Sequence, residues 1–167
     1  MSNIQAFTLD ANKRVFIGCF NHTQQCAINL YIDDADELDE LLSAICKADL
    51  ELTIECLEID DTNFDTIRYF SELSNCLESV LEKIDQYDSD QVADFINLFG
   101  VNQLEQFVDA HTGIRKSDFK DFAIEQAGEW LDSENVPDTI QAYFDYDAYQ
   151  RDIEHDYVIG EYVWINH

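Results

Sequence analysis

The chain has 167 residues, with 36 Asp and Glu against 9 Lys and Arg, and so a formal net charge of -27. Hydrophobic residues make up 46% and aromatic ones 13%, with a single proline, which is enough apolar material for a core and argues against a disordered acidic chain. The charge excludes DNA, phosphate and anionic membranes as direct ligands and points to a strongly positive partner, and positive grooves in cells mostly hold nucleic acid.

In chain order, four runs rich in β-branched and aromatic residues read as strands: Ile4 to Leu9, Val15 to Phe20, Ala27 to Ile32 and Leu52 to Ile59. Between the last two, residues 33–47 have helical period. Leu38, Leu41, Leu42 and Ile45 share one side, and Asp33, Asp36, Glu37 and Glu40 the other. The middle of the chain is helical. Phe64, Ile67, Leu73, Leu77, Leu81 and Ile84 mark one or two helices. Val92, Phe95, Ile96 and Phe99 mark another that Gly100 can terminate, and Asn102 with Glu105 can cap a short one after it. A helix capped by Ser117 is expected to run to about Leu131. A second helical stretch follows Val136 and Pro137 through Tyr143, and residues 157–165 close the chain as a strand. The expected fold is α+β: an elongated series of three small subdomains, 1–61 (α+β), 62–104 (helical) and 105–167 (α+β). No period of 20–50 residues recurs, so no solenoid is expected.

The acids are not gathered into a tail. Residues 1–60 hold 12 acids and 3 bases, 61–103 hold 9 and 2, and 104–167 hold 15 and 4. A magnitude of about 2–8 suffices to keep a small domain soluble, so the excess is carried at a cost in self-repulsion. Within it, Asp118, Asp121, Glu125, Glu129 and Asp132 fall in an arc of roughly 80° on one helix and span about 21 Å, one carboxylate per ~5 Å against ~3.4 Å of axis per phosphate on a DNA strand. Glu78, Glu82 and Asp85 repeat the arrangement in the middle, and Asp33, Asp36, Glu37 and Glu40 near the start. Such a stripe is ordinarily a solvated face. Here the Lys or Arg that usually relieves repulsion at i+4 is missing, with only Lys116 and Lys120 near the stripe from Asp118, which favours a functional surface. By charge alone, 27 net negatives match about 46 Å of duplex.

Signs of catalysis are weak. The five glycines lie too far apart for a phosphate loop, and there is no Gly-x-Ser-x-Gly. Without Cys-x-x-Cys or His-Glu-x-x-His, zinc is not expected. Asp85, Asp88 and Asp90 imitate part of a calcium loop but lack its glycine and closing glutamate. A glycosidase-type carboxylate pair has no specificity among so many acids, and pairing Cys19 or Cys26 with His22 as nucleophile and base is equally weak. We therefore expect no enzyme, no cofactor and no metal. The five cysteines, odd in number and mostly flanked by apolar residues, read as buried thiols rather than a disulfide framework. With no basic and apolar leader and no run near ~18–20 apolar residues, the expected location is the cytoplasm.

The densest local signature is the segment 135–153. Val136, Pro137, Tyr143, Phe144, Asp145, Tyr146, Ala148, Tyr149, Arg151 and Asp152 resemble the C-terminal stretch of the ArdA antirestriction proteins, where Val-Pro and a short helix precede a Phe-Asp-Tyr-x-Ala-Tyr-x-Arg-Asp run. Taken as scaffold, this run is expected to bury Tyr143, Phe144 and Tyr149, to leave Asp145, Asp147 and Asp152 wet, and to pair Arg151 with an acid. Length, the acidic first helix and the helical middle extend the likeness over most of the chain, as does Gly18 to Phe20, where the family often has Gly-x-Trp-Phe. Two departures stand out: Gln150 replaces a common glycine, and the opening strands lack the usual Tyr-Asn-x-Gly turn.

The resemblance implies a dimer of elongated protomers, each of three subdomains, whose carboxylates imitate the phosphates of bent B-form DNA. It implies carriage by mobile elements or phages and inhibition of type I restriction-modification enzymes in the bacterial cytoplasm. The protein would occupy the DNA groove of the methyltransferase core without binding nucleic acid or membrane itself. A decoy for another basic target, such as a CRISPR effector or a nucleoid protein, would have the same surface.

Overall fold

A computed structural model describes residues 3–166. The fold is α+β, as expected, with two small antiparallel sheets, and its internal contacts divide the chain into two compact units, 1–105 and 106–167.

The first unit opens on a 3-10 helix, Asn3–Thr8, where a strand was expected. Ile4 and Phe7 are the buried residues there. Their separation of three is the period of a 3-10 turn, which stacks both on the core side, whereas a strand would point them to opposite faces. Strands β1 (Val15–Asn21), β2 (Cys26–Ile32) and β3 (Leu52–Ile59) follow the expected runs, and a two-residue β4 (Thr62–Asn63) completes the order β2-β1-β3-β4. Val15, Ile17 and Cys19 alternate into the core. Asp60 and Asp61, both at positive φ, make the tight turn from β3 to β4, and short Asp side chains tolerate that conformation. The β1–β3 register shifts after Gly18, where a Cβ would stand 3.3 Å from that of Cys56; glycine admits the close strand approach of the bulge.

Helix α1 (Ala35–Lys47) lies between β2 and β3 and buries Leu38, Leu41, Ala44 and Ile45. Its Asp34 cap accepts the Glu37 amide at 2.9 Å, and the Glu37 carboxylate accepts the Asp33 amide at 2.8 Å, a close variant of the reciprocal capping box. Helix α2 (Phe70–Ile84) buries Leu73, Leu77 and Val80, and α3 (Ser89–Phe99) buries Val92, Phe95 and Ile96 before stopping at Gly100, φ 83°. Phe64 and Ile67 are core residues but precede α2 in a non-helical connection. No Asn102 cap forms. Residues 101–106 make a 3-10 helix that starts with the Gln103 amide bonded to the Gly100 carbonyl at 3.1 Å.

The second unit contains α4 (Phe107–Ala110), β5 (His111–Arg115), α5 (Phe119–Ser133), α6 (Asp138–Gln141), α7 (Tyr146–Ile153), β6 (Tyr157–Ile159) and β7 (Tyr162–Ile165), with strand order β5-β7-β6. The expected terminal strand is thus the hairpin β6–β7, and β7, the central strand of the sheet, buries Tyr162, Val163 and Trp164. Phe107, His111 and Trp164 pack their rings within 5.3–5.6 Å of one another. On α5 the buried residues are Phe119, Ala123, Ala127 and Leu131. Steps of four drift about 40° per step around a helix, so Leu131 ends the row, and the neighbouring Trp130 is 50% exposed. Ser117 does not cap α5. Its hydroxyl donates to Asp118 at 3.1 Å within a 3-10 turn, and Asp118 occupies the cap position.

Candidate acidic interface

None of the 36 acids is buried, and only Glu37, Glu58, Glu72 and Asp94 are even half-buried. The first unit carries 22 acids and 5 bases, the second 14 and 4. Each unit therefore presents a negative surface of its own.

The α5 stripe is fully displayed. Asp118, Asp121, Glu125, Glu129 and Asp132 are all exposed, on the side opposite the row Phe119, Ala123, Ala127 and Leu131. Glu78 and Glu82 are exposed on α2, and Asp85 is its C-cap. Asp33, Asp36 and Glu40 are exposed around α1, whereas Glu37 is half-buried. Both Glu37 oxygens lie 2.5 Å from Lys13 Nζ, so this carboxylate serves the structure as well as the surface.

The basic side chains are largely engaged by the fold. The hydrogen bond to Glu37 pushes the Lys13 ammonium above its ordinary pKa, against the opposing effect of burial. Arg14 Nη2 lies 2.8 Å from Asp60 and 2.9 Å from Asp85, and the Asp60 hydrogen bond above all holds its guanidinium more firmly protonated than usual. Arg68 donates to the Glu55 carbonyl, Lys120 reaches Asp147 at 3.3 Å, and Arg115 lies 5.1 Å over the ring of Tyr162. Neither Lys13 nor Arg14 stands out as site-shaping from the sequence pattern of the acids alone. The signal available was two adjacent bases placed immediately before a strand in an otherwise acidic chain.

The segment 135–153 is split between surface and scaffold. Asp145 is the cap of α7, accepting the Ala148 amide at 2.9 Å. Phe144 stands 5.0 Å from Tyr146, 5.7 Å from Tyr149 and 6.1 Å from Trp130, and a groove of about 430 Å³ runs past Trp130, Phe144, Ala148 and Tyr149 between Asp145 and Asp152. Phe144 and Tyr149 are half-buried, and Asp145, Asp147 and Asp152 are exposed as expected. Two expectations are corrected: Tyr143 is 90% exposed, because α6 ends at Gln141 and leaves it in the connection to α7, and Arg151, also exposed, does not pair with an acid among the described residues.

Other chemistry finds little support. All five cysteines are free, but only Cys19 and Cys76 are buried, and Cys26 and Cys46 are exposed. Burial pushes the Cys19 thiol up to about 12 and the Cys76 thiol up to about 11, where neither is a ready nucleophile. Among the described residues no group of three or more His, Cys, Asp or Glu is placed to hold a metal ion, Asp85, Asp88 and Asp90 included, and no helix is long and apolar enough to cross a membrane.

Residues 24–163 match the family model of the antirestriction protein ArdA. The chain belongs to the ArdA family. Its match runs from the β1–β2 turn to β7 and so includes the exposed stripes of both units and the 135–153 segment. No curated protein and no solved structure gives a significant match. Membership in ArdA makes antirestriction the function of the chain and places it among inhibitor proteins rather than enzymes.

Proposed function

We propose that this ArdA protein is a DNA mimic that occupies the DNA groove of type I restriction-modification enzymes and prevents them from binding DNA. The observation that carries this reading is the placement of the charge: all 36 acids lie at least partly in solvent, and 11 of the 12 stripe acids are exposed. DNA affinity is dominated by phosphate contacts and the release of counterions. A folded polyanion competes for that same free energy and needs neither a reactive group nor a sequence of bases. Because its shape is preformed, it also avoids the cost of bending a duplex. Bearing so large an excess of negative charge lowers the stability of the fold, a cost that makes sense if the binding partner supplies the cations that most of these acids lack.

We further propose that two copies associate, which would double the length of DNA imitated. The exposed apolar side chains Trp130, Ile140 and Tyr143 of the second unit are the candidate seam, since apolar surface gathered into one patch marks an interaction site.

The test adds purified protein to a type I enzyme already bound to a labelled target duplex. Release of the duplex and loss of cleavage are expected. A complex that contains enzyme, protein and duplex together overturns the proposal.

A further inference from the structure

Arg14 draws on three separate elements of the first unit. Its guanidinium donates to both oxygens of Asp60 at 2.8–3.3 Å and to Asp85 at 2.9 Å. Its amide donates to Asp33 at 3.1 Å, and its carbonyl accepts the Asp60 amide at 2.9 Å. These three acids come from the residue before the α1 cap, the β3–β4 turn and the C-cap of α2. They have no sequence proximity, and one of them is placed against the local field, since an anion at a helix C-terminus faces the negative end of the helix dipole. Asp60 and Asp85 share one nitrogen and so lie within two hydrogen-bond lengths of each other. Like charges at that range drive their side chains apart unless a cation sits between them.

We infer that Arg14 is a positioning residue for the decoy surface: its guanidinium is an internal counter-ion that holds Asp60 and Asp85 as a fixed pair, beside Asp33, which the backbone amide of residue 14 holds. The inference rests on the proposed DNA-mimic reading and adds to it that the geometry of the acids matters beyond their number. An isolated exposed ion pair contributes little. A forked guanidinium shared by two carboxylates and anchored through its own backbone is a network, and its planar donors fix direction as well as distance. At Arg14, adding negative charge and keeping the surface in order are opposed. Removing Arg14 makes the protein more acidic while freeing the acids it holds.

Steering of a distant partner depends on total charge and shows in the association rate, whereas the fit of the docked surfaces shows in the dissociation rate. The test measures both rates for binding to the type I methyltransferase core, comparing the unaltered protein with Arg14→Gln and Arg14→Lys. For Arg14→Gln we expect an unchanged or faster association and a dissociation about three- to tenfold faster. Arg14→Lys, with a point charge that cannot span both acids, should recover only part of the difference. If Arg14→Gln merely unfolded a fraction of the molecules, the apparent association would fall and the dissociation rate would stay as it was, which overturns the inference. Equal or slower dissociation of Arg14→Gln also overturns it and leaves the decoy reading intact. Failure of the unaltered protein to bind overturns both.

Discussion

Asp145 accepts the Ala148 amide at 2.9 Å and so starts α7, which gives this acid a different role from the carboxylates on α5. It satisfies a helix end that otherwise lacks a partner. Asp145→Ala is expected to lower stability by about 1 kcal/mol and Asp145→Asn to be close to neutral, because asparagine caps as well as aspartate. Urea unfolding measures both. Equal losses in the two variants would show that the charge, and not the cap, is what matters.

The α5 stripe predicts the opposite balance. Converting Asp118, Asp121, Glu125, Glu129 and Asp132 to amides removes repulsion between exposed groups and touches no buried residue. Stability should hold or rise. Inhibition of the enzyme should fall gradually as the five changes accumulate, with no single change abolishing it. An all-or-none loss at one position would point instead to a localised active group.

Gly100 ends α3 with φ 83° and ψ 153° and has open space where a Cβ would be. That backbone region is essentially restricted to glycine. Gly100→Ala should therefore cost about 1–3 kcal/mol in thermal or urea unfolding although nothing clashes.

Legibility in the sequence followed how local the determining physics was. The pattern of β1 to β3 and the row on α1 are set by alternation and helical period, and both fall where the residues indicate. Ile4 and Phe7 misled because a β-branched and aromatic run is ambiguous over six residues, and the core, rather than propensity, selected the 3-10 turn. β5 was invisible: His111 to Arg115 has a glycine at its centre and is held by pairing with β7, some fifty residues on. Exposure of the stripes followed from periodicity, but the Arg14 network joins positions up to 71 residues apart, and no local pattern reports such a contact.

His111 makes stability pH-dependent in one direction. Burial lowers its pKa from 6.5, so the unfolded chain takes up a proton more readily than the fold. Its contribution is complete above pH 6.5 and is lost as the pH falls below that value toward the folded pKa. Relative to His111→Gln, which does not titrate, the unaltered protein should lose stability between about pH 7 and pH 5 in urea titrations. A constant difference across that range would mean the ring is not protonated preferentially on unfolding.

The most direct test of the mimicry is the affinity of the protein for a type I methyltransferase core, measured calorimetrically over a range of salt with and without saturating target duplex. The account predicts affinity that falls steeply with salt and disappears when duplex fills the groove. Binding that salt leaves unchanged, or that persists with the duplex in place, would contradict it.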